Sequence, residues 1–360
     1  MEHRDRLDAY LATRDLEELW FAHPASFAWL TGGDNVVDAH APVGVAAAGY
    51  DGDHVEVVTN TIEAERLATE ELPSETLVTA YDWHEWSLAE MVQAQSNAPA
   101  AADFDVPGFD SLDASALRQP LTEADVARYR SLGRDTAAAV ESVCRDTDSE
   151  MTEQAVVADL RHTLAQRGID APVALVGSGS RAPRYRHYTP TETALGSYAL
   201  VSVTATRDGL YASTTRTVAF DPPEWLQRRH EQAARVQTTA LAATRETGRD
   251  GGTAGAVFSD IQAAYARLGH DGEWEHHHQG GAAGYAGREW IATPDFDEPV
   301  SLPMAYAWNP TIQGAKSEDT WLVTEDGFEC LTRTGEWETT RRDAVGYDCR
   351  LDHPDILTRA

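Results

Sequence analysis

The sequence predicts a two-domain protein of the α+β class: a smaller α/β domain over residues 1–119, followed by a larger domain over residues 120–360 on a curved, largely antiparallel sheet. Three observations carry that expectation. Helix-like and strand-like stretches alternate through the N-terminal part. A stretch rich in Ala, Asp and Pro without sustained period, APAAADFDVPGFDSLDASALRQ from Ala98 to Gln119, reads as a connection. Beyond it the pattern runs helix pair, strands, helix pair, strands.

In the first domain, the charged start is amphipathic and the apolar run LWFAHPASFAWLTG follows it. Next comes VGVAAAGYDGDHVEVV, in which Asp51-Gly52 between apolar runs marks a hairpin turn. TIEAERLATEEL has helical spacing and ETLVTAYDW has strand character. In the second domain Thr122 is placed to cap a helix through VARYRSLGRDTAAAVESV. A second helix is expected at MTEQAVVADLRHTLAQRGI, with Thr152 as cap and Gly168 as stop. Strands are expected at APVALVGSG and SYALVSVTATRDGLYASTTRTVAF, helices across 224–247 and 255–268, and strands again in MAYAWNP and DTWLVTEDGFECLT.

Composition bounds the function. Acidic residues outnumber basic ones 59 to 29, for a formal charge of −30, and the acids are scattered as a solvated shell. Every basic residue except Lys316 is arginine. Acid excess with lysine avoidance resembles proteins adapted to molar salt, where a Debye length of about 3 Å damps the self-repulsion. No basic patch is present to neutralise phosphates, so nucleic acid is not an expected partner. The first twenty residues contain no apolar run of signal-peptide length, and no window reaches the roughly 18 apolar residues of a membrane span. The expectation is a cytoplasmic protein without a membrane partner. Cys144, Cys330 and Cys349 lie far apart and read as ordinary thiols. The sequence has no GxSxG elbow, phosphate-binding GxxxxGK[ST] or strand-linked GxGxxG.

Between Leu200 and Phe220 the segment LVSVTATRDGLYASTTRTVAF resembles the strand-turn-strand of the creatinase and Xaa-Pro aminopeptidase family (peptidase M24, pita-bread fold). There an Asp, a ten-residue gap and a second Asp before Thr-Arg-Thr hold two divalent metals. Here Asp208-Gly209 and Thr215-Arg216-Thr217 are kept, and Ser202 and Ser213 occupy the aspartate positions. VGSGSRAPRYRHYTPTE resembles the loop whose histidine handles substrate, which points to His187. HHHQGGAAGYAGREW resembles the His-x-x-Gly-His-Gly-x-Gly motif, with His277 and Gly280 fitting and Gly281 at the ligand histidine. In AYAWNPTIQGAKSEDTWLVTEDGFECLT, Asn309 takes the place of a bridging glutamate and Glu318 matches the last ligand. The resemblance implies a pita-bread C-terminal domain behind a creatinase-like N-terminal domain, a small-molecule or peptide substrate, and a homodimer.

Ser, Ser, Gly, Asn and one Glu cannot bridge two hard divalent ions, so the expectation is no metal and no cofactor. The expected catalytic set is His277, Lys316, Glu318 and His187, with Arg288, Glu289, Asn309, Ser202, Ser213, Gln279 and Tyr285 binding substrate. A lysine kept at one place only suggests that its ammonium is needed, either to orient Glu318 or to hold an anion. Arg288-Glu289 resembles the creatinase branch, which works without metal on a guanidino substrate, although its base histidine falls at Gly281. In a strand His276 and His278 would share one face and His277 the other, leaving a mononuclear site on His276, His278 and a carboxylate as an alternative. The expected function is a metal-independent hydrolase or lyase of a small polar C–N substrate. The alternatives are a non-catalytic protein- or peptide-binding member and an authentic Xaa-Pro aminopeptidase with altered metals.

Overall fold

In the computed structural model, which describes residues 3–96 and 99–359, the chain divides into two units, Met1–Thr122 and Glu123–Ala360. The first unit runs α1 (His3–Arg14), β1 (Glu18–Phe21), α2 (Pro24–Thr31), β2 (Ala46–Tyr50), β3 (Val55–Asn60), α3 (Ala64–Arg66), β4 (Leu77–Tyr81), α4 (Leu88–Gln95), β5 (Ala100–Ala102) and β6 (Asp110–Ser111). Among the described residues its strands form one six-stranded mixed sheet in the order β4-β3-β2-β1-β5-β6. The Asp51-Gly52 hairpin joins β2 to β3, with Gly52 at φ 96°.

Side chains of a strand alternate between faces, so this sheet is covered twice. Ala47, Val58, Trp20 and Ala102 pack with Val92 of α4 on one side. Ala46, Ala48 and Val57 pack with Phe27 of α2 and Leu67 on the other. Two features depart from expectation. The helical stretch after β3 is only three α-helical residues followed by a π-helical turn, Leu67–Glu71. The stretch expected to be a bare connection carries β5 and β6, and β5 lies parallel to β1. Three consecutive alanines have weak strand preference, and their burial against β1 makes the strand. Ala98, first residue of the expected connection, lies outside the described residues.

The second unit runs α5 (Glu123–Asp146), α6 (Glu153–Ala165), β7 (Asp170–Ser178), β8 (Tyr198–Arg207), β9 (Leu210–Ala219), α7 (Leu226–Arg249), α8 (Ala254–Arg267), β10 (Gly280–Ala283), β11 (Met304–Trp308), β12 (Thr311–Ile312), β13 (Ala315–Lys316), β14 (Asp319–Val323), β15 (Phe328–Cys330), β16 (Thr339–Asp343), β17 (Arg350–Pro354) and β18 (Leu357–Thr358). Thr152 caps α6 by accepting from the Ala155 amide at 3.2 Å, and Gly168 beyond its end takes φ 64°. Asp208 and Gly209, at φ 52° and 76°, form the two-residue turn of the β8-β9 hairpin.

Two four-stranded sheets, β18-β9-β8-β7 and β10-β11-β14-β15, meet along β9 and β14. The Thr215 amide donates to the Glu318 carbonyl at 2.9 Å, and Thr320 Oγ1 bonds both the amide and carbonyl of Ser213. Alternation along β9 then separates two polar clusters. Ser213 and Thr215 face one side. Thr214 and Arg216 face the other, where Asp319 accepts from Thr214 (2.8 Å), Arg216 (2.9 Å) and Thr332 (2.8 Å), and Glu141 of α5 lies 3.5 Å from Arg216. No helix of the described residues is long and apolar enough to cross a membrane.

Beneath α7, His353 of β17 is fully buried, bonded to Thr238 Oγ1 at 2.8 Å. Burial, then the neighbouring His230 and Arg342, push its imidazole down to about 3. His230 is lowered as well, first by burial. A histidine kept neutral in the folded state stabilises fully above its unfolded pKa, and that contribution is lost as pH falls from about 6.5 towards the folded value. Stability is therefore expected to drop below pH ~6.5, by up to about 1.4 kcal/mol per pH unit for each such histidine. Denaturant midpoints measured between neutrality and pH ~5 check this. A His353→Gln variant with an equally steep slope would show that His353 is not the source.

Candidate functional site

The Glu318 carboxylate, just ahead of β14, is the centre of the site. Its side chain is 5% exposed. Lys316 Nζ lies 2.7 Å from Oε2, Thr215 Oγ1 donates to the same oxygen at 2.8 Å, and Arg288 donates to Oε1 at 3.2 Å. Burial alone would raise this carboxyl, but Lys316 and Arg288, with hydrogen bonds from Lys316 and Thr215, outweigh it and hold it below the usual range. Two strands and one loop build the trio. Lys316 ends β13, Thr215 lies on β9, and Arg288 comes from the loop after β10.

The serines extend the network. Ser202 pairs with Thr215 across the hairpin, and their hydroxyls are 2.7 Å apart, with the Tyr188 hydroxyl 2.9 Å from Ser202 Oγ. Ser213 Oγ is 2.9 Å from Thr204 Oγ1 and accepts from Arg288 at 3.2 Å. Asn309 follows β11, its amide bonded to the Gln279 carbonyl at 2.9 Å; its Oδ1 is buried with no hydrogen-bond partner among the described residues.

Beside the carboxylate stand three imidazoles. His187 is exposed in the loop between β7 and β8, His277 is buried, and His278 is half-buried. His187 Nε2 and His277 Nε2 are 3.3 Å apart, and one ligating nitrogen from each of the three rings lies within 4.8 Å of the other two. All three are held neutral. Burial followed by Lys316 lowers His187 and drives His277 far below the usual histidine range, while burial, Arg288 and Lys316 bring His278 to about 4.

The strand alternation expected for the histidine triplet is not present. His276 ends a 3₁₀ turn, Glu273–His276, and is exposed; the extended segment starts at His277, and β10 only at Gly280. Consequently His277 and His278 lie on the same side, ring centroids 4.5 Å apart, and the third ring is His187 rather than His276.

Three further expected site residues are engaged elsewhere. Gln279 accepts from the Tyr265 hydroxyl at 2.8 Å and donates to the His277 carbonyl, bracing the histidine segment. Glu289 accepts from the amides of Tyr285 (2.9 Å) and Ala286 (3.1 Å), closing the turn that presents Arg288. The Tyr285 hydroxyl donates to Asp125 of α5 at 2.6 Å and also contacts Arg128, away from Glu318. Conversely, Thr215, Tyr188 and His278 belong to the arrangement although the expected set omits them. For Thr215 the signal was available: it follows Ser213 by two on a strand and so shares its face.

The glycines of the histidine motif are constrained by packing. A Cβ on Gly281 would lie 2.1 Å from the Trp290 carbonyl oxygen and 2.8 Å from its ring; on Gly280, already at φ 96°, it would lie 2.1 Å from the Ala307 carbonyl oxygen.

The profile of metallopeptidase family M24 matches residues 127–325. The chain belongs to this family. It is 26% identical over 195 residues to the Xaa-Pro dipeptidase of Pyrococcus horikoshii, a match covering 51% of this chain and 53% of the relative, so the aligned part spans about half the length of the curated relative. Among solved M24-like structures, the prolidase of Pyrococcus horikoshii superposes with a TM-score of 0.74 at 17% identity, over 93% of this chain and 99% of that one. The N-terminal domain of FACT complex subunit SPT16 from Cicer arietinum superposes with a TM-score of 0.66 at 12% identity, over 93% and 96%. These likenesses establish the pita-bread fold expected from sequence.

An M24 fold implies two divalent metals, and the residues present do not fit them. Of the five positions matched to ligands, Glu318 is the one carboxylate, and its oxygens already face an ammonium and a guanidinium. Ser202 and Ser213 are neutral hydroxyls bonded to neighbours, Asn309 is a neutral amide, and Gly281 has no space for a side chain. Two hard dications need several carboxylates to bridge them and balance their charge.

Proposed function

We propose that this M24 member is a hydrolase or lyase acting on a C–N bond of a small polar, peptide-like substrate, without the dinuclear centre typical of its family. One observation carries the reading: Lys316, Arg288 and Glu318 converge at a buried point beside three neutral imidazoles. Burying charges is costly, so a cleft with no remaining task gains nothing by keeping them there. Two cations against one carboxylate leave an excess of positive charge, which suits a substrate carboxylate. Each neutral imidazole has a lone pair, available to a proton or to a ligand.

The test is turnover of a panel of Xaa-Pro dipeptides, N-acyl amino acids and guanidino acids, with released amine as readout. Wild-type turnover is expected, and Lys316→Met is expected to lower kcat/KM by about a hundredfold while keeping the fold, as for loss of one preorganised charge. No turnover of any panel member, with or without added divalent metal, would sink the reading. A second reading, a non-catalytic member that binds a peptide or protein, is favoured by the depth of the network, since Ser202, Ser213, Asn309 and Glu318 are each at most 5% exposed. Peptide binding that survives Lys316→Met, without turnover, would select it. Two equivalents of Mn, Co or Zn in purified protein would instead select an Xaa-Pro aminopeptidase with altered ligands.

A further inference from the structure

We infer that His187, His277 and His278 form a mononuclear site for a single divalent transition-metal ion, built from none of the five positions matched to the family's ligands. A tetrahedral ion with metal–nitrogen bonds of about 2.0–2.1 Å holds its donors about 3.3–3.4 Å apart. His187 Nε2 and His277 Nε2 stand 3.3 Å apart, and their rings are nearly perpendicular at 78°, so both nitrogens converge on one point instead of stacking. The third ring is already close, because its ligating nitrogen lies within 4.8 Å of the other two and a modest rotation closes the remaining gap.

The local chain explains why these rings meet. The 3₁₀ turn ends at His276, His277 takes extended backbone at φ −159° and ψ 141°, and Gln279 pins the segment through the His277 carbonyl. Neither His277 Nδ1 nor His278 Nδ1 has a hydrogen bond among the described residues. Imidazole is a common metal ligand through either ring nitrogen, and each of the three rings has one within reach of the other two. His187 is exposed and His277 buried, which gives the site an entry side and a closed base.

The donor set selects the ion. Three imidazoles with no carboxylate or thiolate among them favour Zn²⁺, Cu²⁺ or Ni²⁺ over Mg²⁺, Ca²⁺ or Mn²⁺. Lys316 and Arg288 oppose the ion's charge, and Glu318 offsets part of that opposition. The fourth position is left to water or substrate, as in sites with three protein ligands.

The experiment titrates chelator-stripped full-length protein with Zn²⁺ by calorimetry, and with Co²⁺ by visible absorption. About one equivalent is expected, with the intense absorption of tetrahedral cobalt. His187→Ala and His278→Ala each remove a partly solvent-facing ligand and are expected to weaken binding at least about tenfold. His276→Ala, outside the cluster, should bind as the parent does. Circular dichroism of each variant separates lost binding from lost fold, and His278→Asn serves if the alanine variant does not fold. Absence of saturable Zn²⁺ binding, or binding unchanged in both ligand variants, would overturn the site. The readout is independent of turnover: failure to bind Zn²⁺ leaves the C–N reading standing, and failure to turn over leaves the metal site standing.

Discussion

An Arg216→Met chain is expected to lose about 3–5 kcal/mol of stability, the cost of removing one partner from a buried ion network. Arg216 lies between Asp319, at 2.9 Å, and Glu141, at 3.5 Å, and all three side chains are almost wholly buried. Burial already raises the Asp319 carboxyl, opposed chiefly by Arg216. Without the guanidinium, Asp319 stays in the interior with no cation to balance it, and Glu141 keeps only Arg145, at 3.5 Å. Guanidinium denaturation of variant and parent measures the loss, and a difference under about 1 kcal/mol would show that water or proton uptake relieves the strain. An Arg216→Met/Asp319→Asn double variant is expected to recover part of the loss, because the amide leaves one fewer unpaired charge. The site depends on this network: Arg216 adjoins Thr215 and Asp319 adjoins Glu318, so the cluster behind β9 and β14 holds the pairing that places Thr215 Oγ1 against Glu318.

The second large effect is expected at Gly281. Gly281→His introduces the residue type that the M24 family uses as a metal ligand, yet it should destabilise the protein by about 1–3 kcal/mol or more and gain no dinuclear metal. The reason is backbone and not rotamer: a Cβ there lies 2.1 Å from the Trp290 carbonyl oxygen, which cannot swing aside as a flexible side chain would. Thermal denaturation together with metal analysis decides the matter. A variant as stable as its parent that binds two equivalents of Mn²⁺ or Co²⁺ would show that a single histidine is enough to rebuild the centre, contrary to the donor argument.

Much of this molecule can be read locally. The Asp51-Gly52 and Asp208-Gly209 turns, the Thr152 cap and the long helices of the second unit follow from short-range patterns of a few residues. The capping box of α4, Ser87 with Glu90, was equally open to a short-range reading, as both of its hydrogen bonds lie within four residues, but its helix was not expected. Strand β5 was not open to such a reading. Its three alanines have no strand preference of their own and are ordered by the neighbour they bury against.

The candidate site divides the same way. Sequence alone determined the family and the pita-bread fold, because these depend on residue identity at fixed spacing along one strand or turn. It also singled out Glu318, Lys316 and Arg288, and the structure brings both cations within 3.2 Å of the Glu318 carboxylate. Only the tertiary structure decided that Tyr285 turns to α5, that Glu289 closes a turn, and that His277 and His278 share a side. The physical reason is range. The meeting of His187 with His277 spans 90 positions in the chain and depends on where a 3₁₀ turn stops and where a glycine backbone is crowded by Trp290, neither of which any local period encodes.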